Sequence, residues 1–90
     1  MKKYLRVTIE GKVHGVFFRQ QTKKHAIENN ITGYVQNCQD GTVLIECVGE
    51  EENMRAFLRF CHKGSPAAHV TNVSIEESDQ KNDFMTFNIY

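Results

Sequence analysis

Residues 4–19 read YLRVTIEGKVHGVFFR and pass from a strand, through a turn with two glycines, into a helix. The range Tyr4–Glu10 alternates apolar and polar side chains, which is the pattern of a strand with one buried face. The turn Gly11–Arg19 leads into a stretch with few helix breakers, and the Asn29–Asn30 pair is suited to end that helix. The chain therefore opens in the order strand, turn, helix.

The remainder of the chain contains further β-rich runs. The first two are joined by a segment that includes Asp40-Gly41, and glycine there supplies the positive φ of a hairpin turn, so we expect antiparallel pairing. A polar loop, Glu77–Asp83, separates the last two. In chain order, these runs are Ile31–Gln36, Thr42–Val48, Val70–Glu76 and Met85–Tyr90.

Two helices are predicted, and the second has the clearer pattern. Its apolar residues are spaced i, i+3, i+4, i+7, and the acidic run Glu50–Glu52 suits the positive end of a helix. We expect Asn53 to cap it and Gly64-Ser65-Pro66 to end it. The first helix has a thin apolar stripe and depends on tertiary packing. The residues expected to be buried are Phe18, Thr22, Ala26 and Ile27 in the first helix, and Met54, Phe57, Leu58 and Cys61 in the second.

The element order is βαββαβ with an additional C-terminal strand, which predicts an α+β fold. Both helices connect strands as crossovers, and right-handed crossovers place them on one face of a mainly antiparallel sheet. This arrangement is the ferredoxin-like two-layer sandwich. No linker, repeat or low-complexity tract interrupts residues 1–90, so we expect a single domain.

Composition limits the classes of partner. The 90 residues carry eleven Lys+Arg and eleven Asp+Glu, a formal charge of zero, so no broad positive field is available to hold DNA or RNA. The start, Met1-Lys2-Lys3, has no apolar stretch of signal-peptide length behind it, and nothing approaches a membrane span. We therefore expect a cytoplasmic protein without nucleic-acid or membrane partners. The absence of a long apolar patch favours a monomer.

The cysteines favour reduced thiols. Cys38, Cys47 and Cys61 are odd in number and lack CxxC spacing, which is typical of a cytosolic protein rather than of a disulfide framework. The pair Cys61-His62, together with Cys47, offers three residue types that bind zinc. Adjacent helical residues point in different directions, however, so no metal site is predicted.

The turn after the first strand favours an anion site. Gly11 and Gly15 permit backbone conformations in which successive N–H groups converge on one point. The start of a helix adds unpaired N–H donors, and Arg19 at that boundary offers a planar fork of donors to phosphoryl oxygens. A tight turn with a surface arginine is the alternative reading of the same residues.

The same turn resembles the signature of the acylphosphatase family, in the run Gly11-Lys12-Val13-His14-Gly15-Val16-Phe17-Phe18-Arg19. Thr32-Gly33-Tyr34-Val35-Gln36-Asn37, followed by Asp40-Gly41-Thr42-Val43, is similar to the second conserved block of that family. Gly64-Ser65-Pro66 with Val70, and the closing Phe87-Asn88-Ile89-Tyr90, also fit, so the resemblance covers essentially the whole chain. It implies a hydrolase for small-molecule acyl phosphates that needs no metal and no cofactor.

The resemblance also implies site residues. Arg19 stands at the position of the phosphate-binding arginine, and Asn37 at that of the water-positioning asparagine. The backbone N–H groups of Lys12, Val13, His14, Gly15, Val16, Phe17 and Phe18 would share the phosphate with Arg19. Three departures leave these groups intact: His14 replaces a usual glutamine, Phe17 stands where bacterial members often have glycine, and Tyr34 replaces a common tryptophan.

Several roles stay open at this stage. His14 faces solvent or, when protonated, adds charge near the phosphate and changes the pH dependence. The Phe17-Phe18 pair is expected to pack in core and loop rather than to contact substrate.

A noncatalytic ferredoxin-like module that binds RNA or a small ligand is the alternative function, although Thr42–Val48 has none of the aromatic residues of an RNA-binding sheet. An acylphosphatase-like domain serving a protein or carrier partner is the third.

Overall fold

The structure is a computed structural model that describes residues 1–79 and 81–90. It confirms the ferredoxin-like sandwich, with two helices packed against one five-stranded sheet. Within the described part of the chain, neither helix is long and apolar enough to cross a membrane. The elements are β1 (Lys2–Lys12), α1 (Phe18–Glu28), β2 (Thr32–Asn37), β3 (Val43–Glu50), α2 (Glu51–Lys63), β4 (His69–Glu77) and β5 (Phe87–Ile89).

The sheet order places the ends of two strands together. The order is β4-β1-β3-β2-β5, and β3 pairs antiparallel with both β1 and β2. Strands β1 and β2 therefore run in the same direction on either side of β3. In register, Val43 lies opposite Ile9 on one side and Asn37 on the other. The turn after β1 and the end of β2 consequently meet at one edge of the sheet.

A bulge lets β1 turn at this edge. The pairing of β1 with β4 shifts register between Glu10 and Gly11. Gly11 has a φ of 129°, and a Cβ atom there would collide with the carbonyl oxygen of His69. Only glycine tolerates both the conformation and the close backbone approach.

The core lies between the sheet and the helices. Phe57 of α2 is fully buried and packs its ring against the edge of Phe87 from β5, with centroids 6.1 Å apart. In α1, Thr22 is buried and donates its hydroxyl to the Phe18 carbonyl at 2.8 Å, which satisfies a polar group inside the core. The central apolar residues are Leu5, Val7, Ile9, Phe18, Ala26, Ile31, Val35, Val43, Ile45, Met54, Phe57, Cys61 and Phe87.

Two predictions about the helices are wrong. Ile27 is 55% exposed, because it follows the buried Ala26 and consecutive helical residues point about 100° apart. Asn53 does not cap α2, since the helix begins at Glu51, directly after β3. The Glu51 N–H instead donates to the Met1 carbonyl at 3.0 Å. That backbone contact satisfies one of the free N–H groups at the start of the helix, which is the task that a side-chain cap would have.

Alternation in the last two β-rich runs predicts that Ile75 and Met85 lie on apolar, buried faces, and the structure contradicts both predictions. Met85 is fully exposed, because β5 is limited to Phe87–Ile89. Ile75 is 42% exposed because β4 forms an edge of the sheet. Strand β4 extends into the predicted polar loop Glu77–Asp83, of which Gln80 lies outside the described residues.

Phe57→Ala should lower the free energy of unfolding by about 3–5 kcal/mol, because it removes a fully buried ring and leaves a cavity. The measurement is urea unfolding at equilibrium. The matched control is Ile27→Ala, which truncates an exposed apolar residue of the other helix and should change stability by about 0.5 kcal/mol or less. Equal losses in the two variants would contradict the placement of the core.

Candidate active site

A pocket of about 310 Å³ lies where the turn after β1 meets the end of β2. It brings together Arg19 and Asn37, the two side chains predicted to act on substrate. Of the predicted loop residues, Val13, Gly15, Phe17 and Phe18 line it. Lys12 is exposed at the end of β1, His14 reaches toward the hairpin, and Val16 is buried. The other residues lining the pocket are Gln20 and Ile89.

The loop backbone contains two residues in the left-handed conformation, a feature of anion-binding nests. Gly15 and Phe17 both have positive φ, 71° and 60°, and such residues turn successive N–H groups toward a common point. A Cβ at Gly15 would meet no atom within 4 Å, so a larger residue would have room there. Glycine is therefore favoured at this position by its positive φ alone. Within residues 1–79 and 81–90, no carbonyl or side chain accepts a hydrogen bond from the N–H groups of residues 14–18. These donors are available to a ligand.

The loop is anchored from behind by Ser65. Its buried hydroxyl donates to the Val16 carbonyl at 2.8 Å. Ser65 lies in the connection between α2 and β4, so the contact joins the loop to a segment that is distant in sequence. With that carbonyl held, the peptide groups around it have little freedom to rotate.

Arg19 is the second residue of α1 and is half-buried. Its Nη1 donates to the Tyr90 carbonyl at 2.8 Å, which fixes one side of the guanidinium. No Asp or Glu side chain of the described residues forms an ion pair with it. A guanidinium has five N–H donors, so the remaining ones can bind an anion in the pocket.

Asn37 is the last residue of β2 and faces the helix side of the sheet with Val35, which is fully buried two residues earlier. Its Oδ1 is buried and accepts no hydrogen bond from any described residue. A buried amide oxygen without a partner costs about 1–3 kcal/mol. Such an atom in a pocket is suited to accept a hydrogen bond from water or substrate.

His14 ties the hairpin after Asn37 to the loop between β1 and α1. Its Nε2 lies 2.8 Å from the Thr42 carbonyl, which also accepts the Cys38 N–H at 2.9 Å. Because a carbonyl only accepts, His14 Nε2 must carry the proton. The expectation that His14 faces solvent is therefore wrong, since its ring bridges two parts of the site.

Asp40 closes the hairpin. Its Oδ1 accepts the Thr42 hydroxyl at 2.7 Å and the Thr42 N–H at 3.0 Å. Both bonds lower the pKa of Asp40 below its ordinary value of 3.8, and the bond from the Thr42 hydroxyl has the larger effect. The ionised carboxylate therefore stabilises the turn that follows Asn37.

Two of the three cysteines, Cys47 and Cys61, are buried and do not line the pocket. Burial raises the pKa of Cys47 well above 9.0 and that of Cys61 to about 12, so both thiols stay protonated at neutral pH. All three cysteines are free. Within the described ranges, no group of three His, Cys, Asp or Glu residues could hold a metal ion.

Sequence reasoning missed the residues that support the site from a distance. Tyr90, Ser65 and Ile89 come from the end of the chain or from the connection after α2. No local spacing links them to the turn after β1. The contact between Thr42 and Asp40 could have been predicted, because a Ser or Thr two residues after an Asp in a turn commonly bonds to its carboxylate.

Asp40→Asn should lower stability at neutral pH and lose that effect in acid. A carboxyl whose folded pKa is depressed stabilises above its unfolded pKa, and the contribution disappears as pH falls through the folded pKa. The melting temperatures of the two proteins should therefore converge below pH 3.8, the ordinary value for Asp40. A difference that persists unchanged in acid would contradict this role.

His14→Leu should lower the free energy of unfolding by about 0.5–1.5 kcal/mol, the net value of one hydrogen bond. His14→Gln keeps a donor of similar reach and should recover most of the loss. Urea unfolding of the three proteins measures both effects. If the Gln variant is as unstable as the Leu variant, the bond to Thr42 is not what His14 contributes.

Comparisons with known proteins agree with this architecture. The sequence profile of the acylphosphatase family matches residues 5–89. An acylphosphatase of Bacillus licheniformis is 42% identical over 84 residues, which are 93% of each chain. The solved acylphosphatase structures from Coxiella burnetii and Bacillus subtilis each superpose with a TM-score of 0.93. The first is 35% identical and covers 99% of this chain and 93% of its own, and the second is 32% identical and covers 100% and 99%. The chain therefore belongs to the acylphosphatase family of hydrolases.

Proposed function

We propose that this chain hydrolyses the carboxyl–phosphate bond of small acyl phosphates, giving a carboxylate and inorganic phosphate. The observation that carries this proposal is one pocket in which Arg19 and Asn37 lie beside a loop of unpartnered N–H groups. The acylphosphatases to which the chain is similar support the same reaction.

The loop and Arg19 would hold the phosphoryl group. Phosphoryl transfer spreads charge over three equatorial oxygens, and catalysis consists mainly of positioning and charge stabilisation. The N–H groups of residues 12–18 and the start of α1 would bind these oxygens as an anion nest. Arg19 would add a charged fork of donors. We therefore assign no metal or organic cofactor to the reaction.

Asn37 would position the attacking water. Its Oδ1 would accept one hydrogen of the water and direct the oxygen at phosphorus. An amide cannot take up the proton, so that proton passes to a phosphate oxygen or to the departing carboxylate. As the new P–O bond forms, the bond to the acyl oxygen breaks and its electron pair leaves with the carboxylate. A carboxylate leaves without protonation by a strong acid, so the site requires no protein acid.

We also propose that residues 1–90 act as one domain, a cytoplasmic monomer without nucleic-acid partners. One sheet and one contiguous core support the single domain. The zero formal charge argues against a polyanion as partner. Light scattering after gel filtration would test the monomer, and a dimer mass would overturn that part.

Arg19→Gln and Asn37→Ala should each lower kcat/KM for acetyl phosphate by about 100-fold or more, the usual effect of removing one donor or positioning group aimed at the reacting atoms. The measurement is steady-state phosphate release in the presence of EDTA. The matched controls are Arg59→Gln and Asn72→Ala. They make the same two substitutions at residues that do not line this pocket, and both variants should retain wild-type kinetics.

The outcomes separate the parts of the proposal. Full activity in Asn37→Ala would show that Asn37 does not position the attacking water, and it would not affect the proposed phosphate site. Activity that disappears in EDTA and returns with zinc or magnesium would overturn the metal-free mechanism. A wild-type protein inactive on every acyl phosphate would favour the noncatalytic binding module.

A further inference from the structure

Phe17 is an unusual residue for its place in the fold. Its φ of 60° lies in the left-handed region, which is disfavoured for residues with a Cβ, especially bulky ones. Its side chain is also 72% exposed. The expectation that Phe17 packs in the loop is therefore wrong, whereas its neighbour Phe18 is 1% exposed and belongs to the core.

Neither local structure nor stability accounts for a phenylalanine there. Among the described residues, the other non-glycine residue with positive φ is Asn30, a type that tolerates this conformation at helix ends. The Phe17 ring has no aromatic partner in the described part of the chain, and it lies outside the buried core. Glycine would supply the same backbone without strain.

The ring lies at the pocket. Phe17 lines it together with Ile89, which is 37% exposed, so two accessible apolar side chains flank the same opening. Three polar side chains line the pocket: Arg19 and Asn37, which are assigned to phosphate and water, and the uncharged Gln20. No Asp, Glu or Lys is among the lining residues of the described structure. Apart from Gln20, the accessible side chains left for the rest of a substrate are therefore the apolar Phe17 and Ile89.

We propose that Phe17, with Ile89, forms an apolar rim that contacts the acyl group of the substrate. This inference rests on the proposed function. With the phosphoryl oxygens held by the loop and Arg19, the carbon portion of an acyl phosphate has to extend past the accessible side chains of the pocket. The rim favours acyl phosphates with an aromatic or bulky apolar acyl group over those with a small one. Strain retained at a ligand-contacting residue is a common feature of binding sites.

The physical effect is on binding. Contact between an apolar acyl group and the rim removes apolar surface from water in the ground state and in the transition state alike. Interactions of this uniform kind lower KM and leave kcat little changed. Loss of the ring should therefore raise KM for an aromatic substrate and change kcat far less.

The experiment compares benzoyl phosphate with acetyl phosphate in the wild type, Phe17→Asn, Phe17→Tyr and Ile89→Ala. The readout is the ratio of kcat/KM for the two substrates, because intrinsic differences in leaving-group reactivity cancel when variants are compared. In Phe17→Asn the ratio should fall about tenfold, the usual value of one apolar contact in a pocket, mainly through KM for benzoyl phosphate. Phe17→Tyr keeps the ring and should keep the ratio, and Ile89→Ala should lower it by a smaller factor.

Thermal unfolding of the same variants separates contact from structure. Asparagine tolerates the left-handed conformation, so Phe17→Asn should melt no lower than the wild type. A clear fall in melting temperature would mean that the ring supports the fold and would overturn the inference. An unchanged substrate ratio in Phe17→Asn, with both substrates hydrolysed, would overturn it while the proposed function stands. If the wild type hydrolyses neither substrate, both are overturned.

Discussion

The site depends on the pairing of β3 with two strands at once. Val43 is in register with Ile9 on one side and Asn37 on the other, and all three positions belong to the face that the helices cover. Side chains alternate along a strand, so a slip of one residue in β2 would turn Asn37 to the opposite face. The buried Val35 of β2 opposes such a slip, because its side chain would leave the core together with that of Asn37. The apolar core thus fixes the position of a polar group.

The loop between β1 and α1, residues 13–17, has no regular secondary structure, yet long-range contacts hold it. Val16 is tied to Ser65, His14 to Thr42, and Arg19 to Tyr90, over sequence separations of 49, 28 and 71 residues. Each contact comes from a different part of the chain. For the phosphate site proposed above, donors held in place in this way would need no reorganisation when the anion binds, and such preorganisation is a main source of electrostatic stabilisation in enzymes. Folding of the whole domain is therefore a condition for the geometry of a short turn.

Much of the fold could be predicted from local sequence pattern. Strand β1 and the stripe of α2 could be predicted because their apolar residues repeat with the period of the element, and Gly41 has the positive φ, 91°, that the Asp-Gly turn predicts. Met85 and Ile75 were assigned wrongly because alternation cannot show where a strand ends or whether it lies at the sheet edge. Asn37 was singled out by family resemblance, since a single asparagine at a strand end has no distinguishing pattern. The bonds of Ser65 and Tyr90 depend on tertiary contacts that spacing does not encode.

Phe17 and Phe18 show how one backbone conformation yields two surfaces. The residues are adjacent and chemically identical, so sequence assigns them one role. Phe17 has the positive φ that is typical of an anion nest, and in this conformation its ring lies outside the core while the ring of Phe18 is buried. The side chain at position 17 can therefore vary without a loss of packing, provided that it tolerates the left-handed conformation. Position 18 lacks this freedom, because its ring packs against Phe60 at 5.7 Å and its loss would leave a cavity.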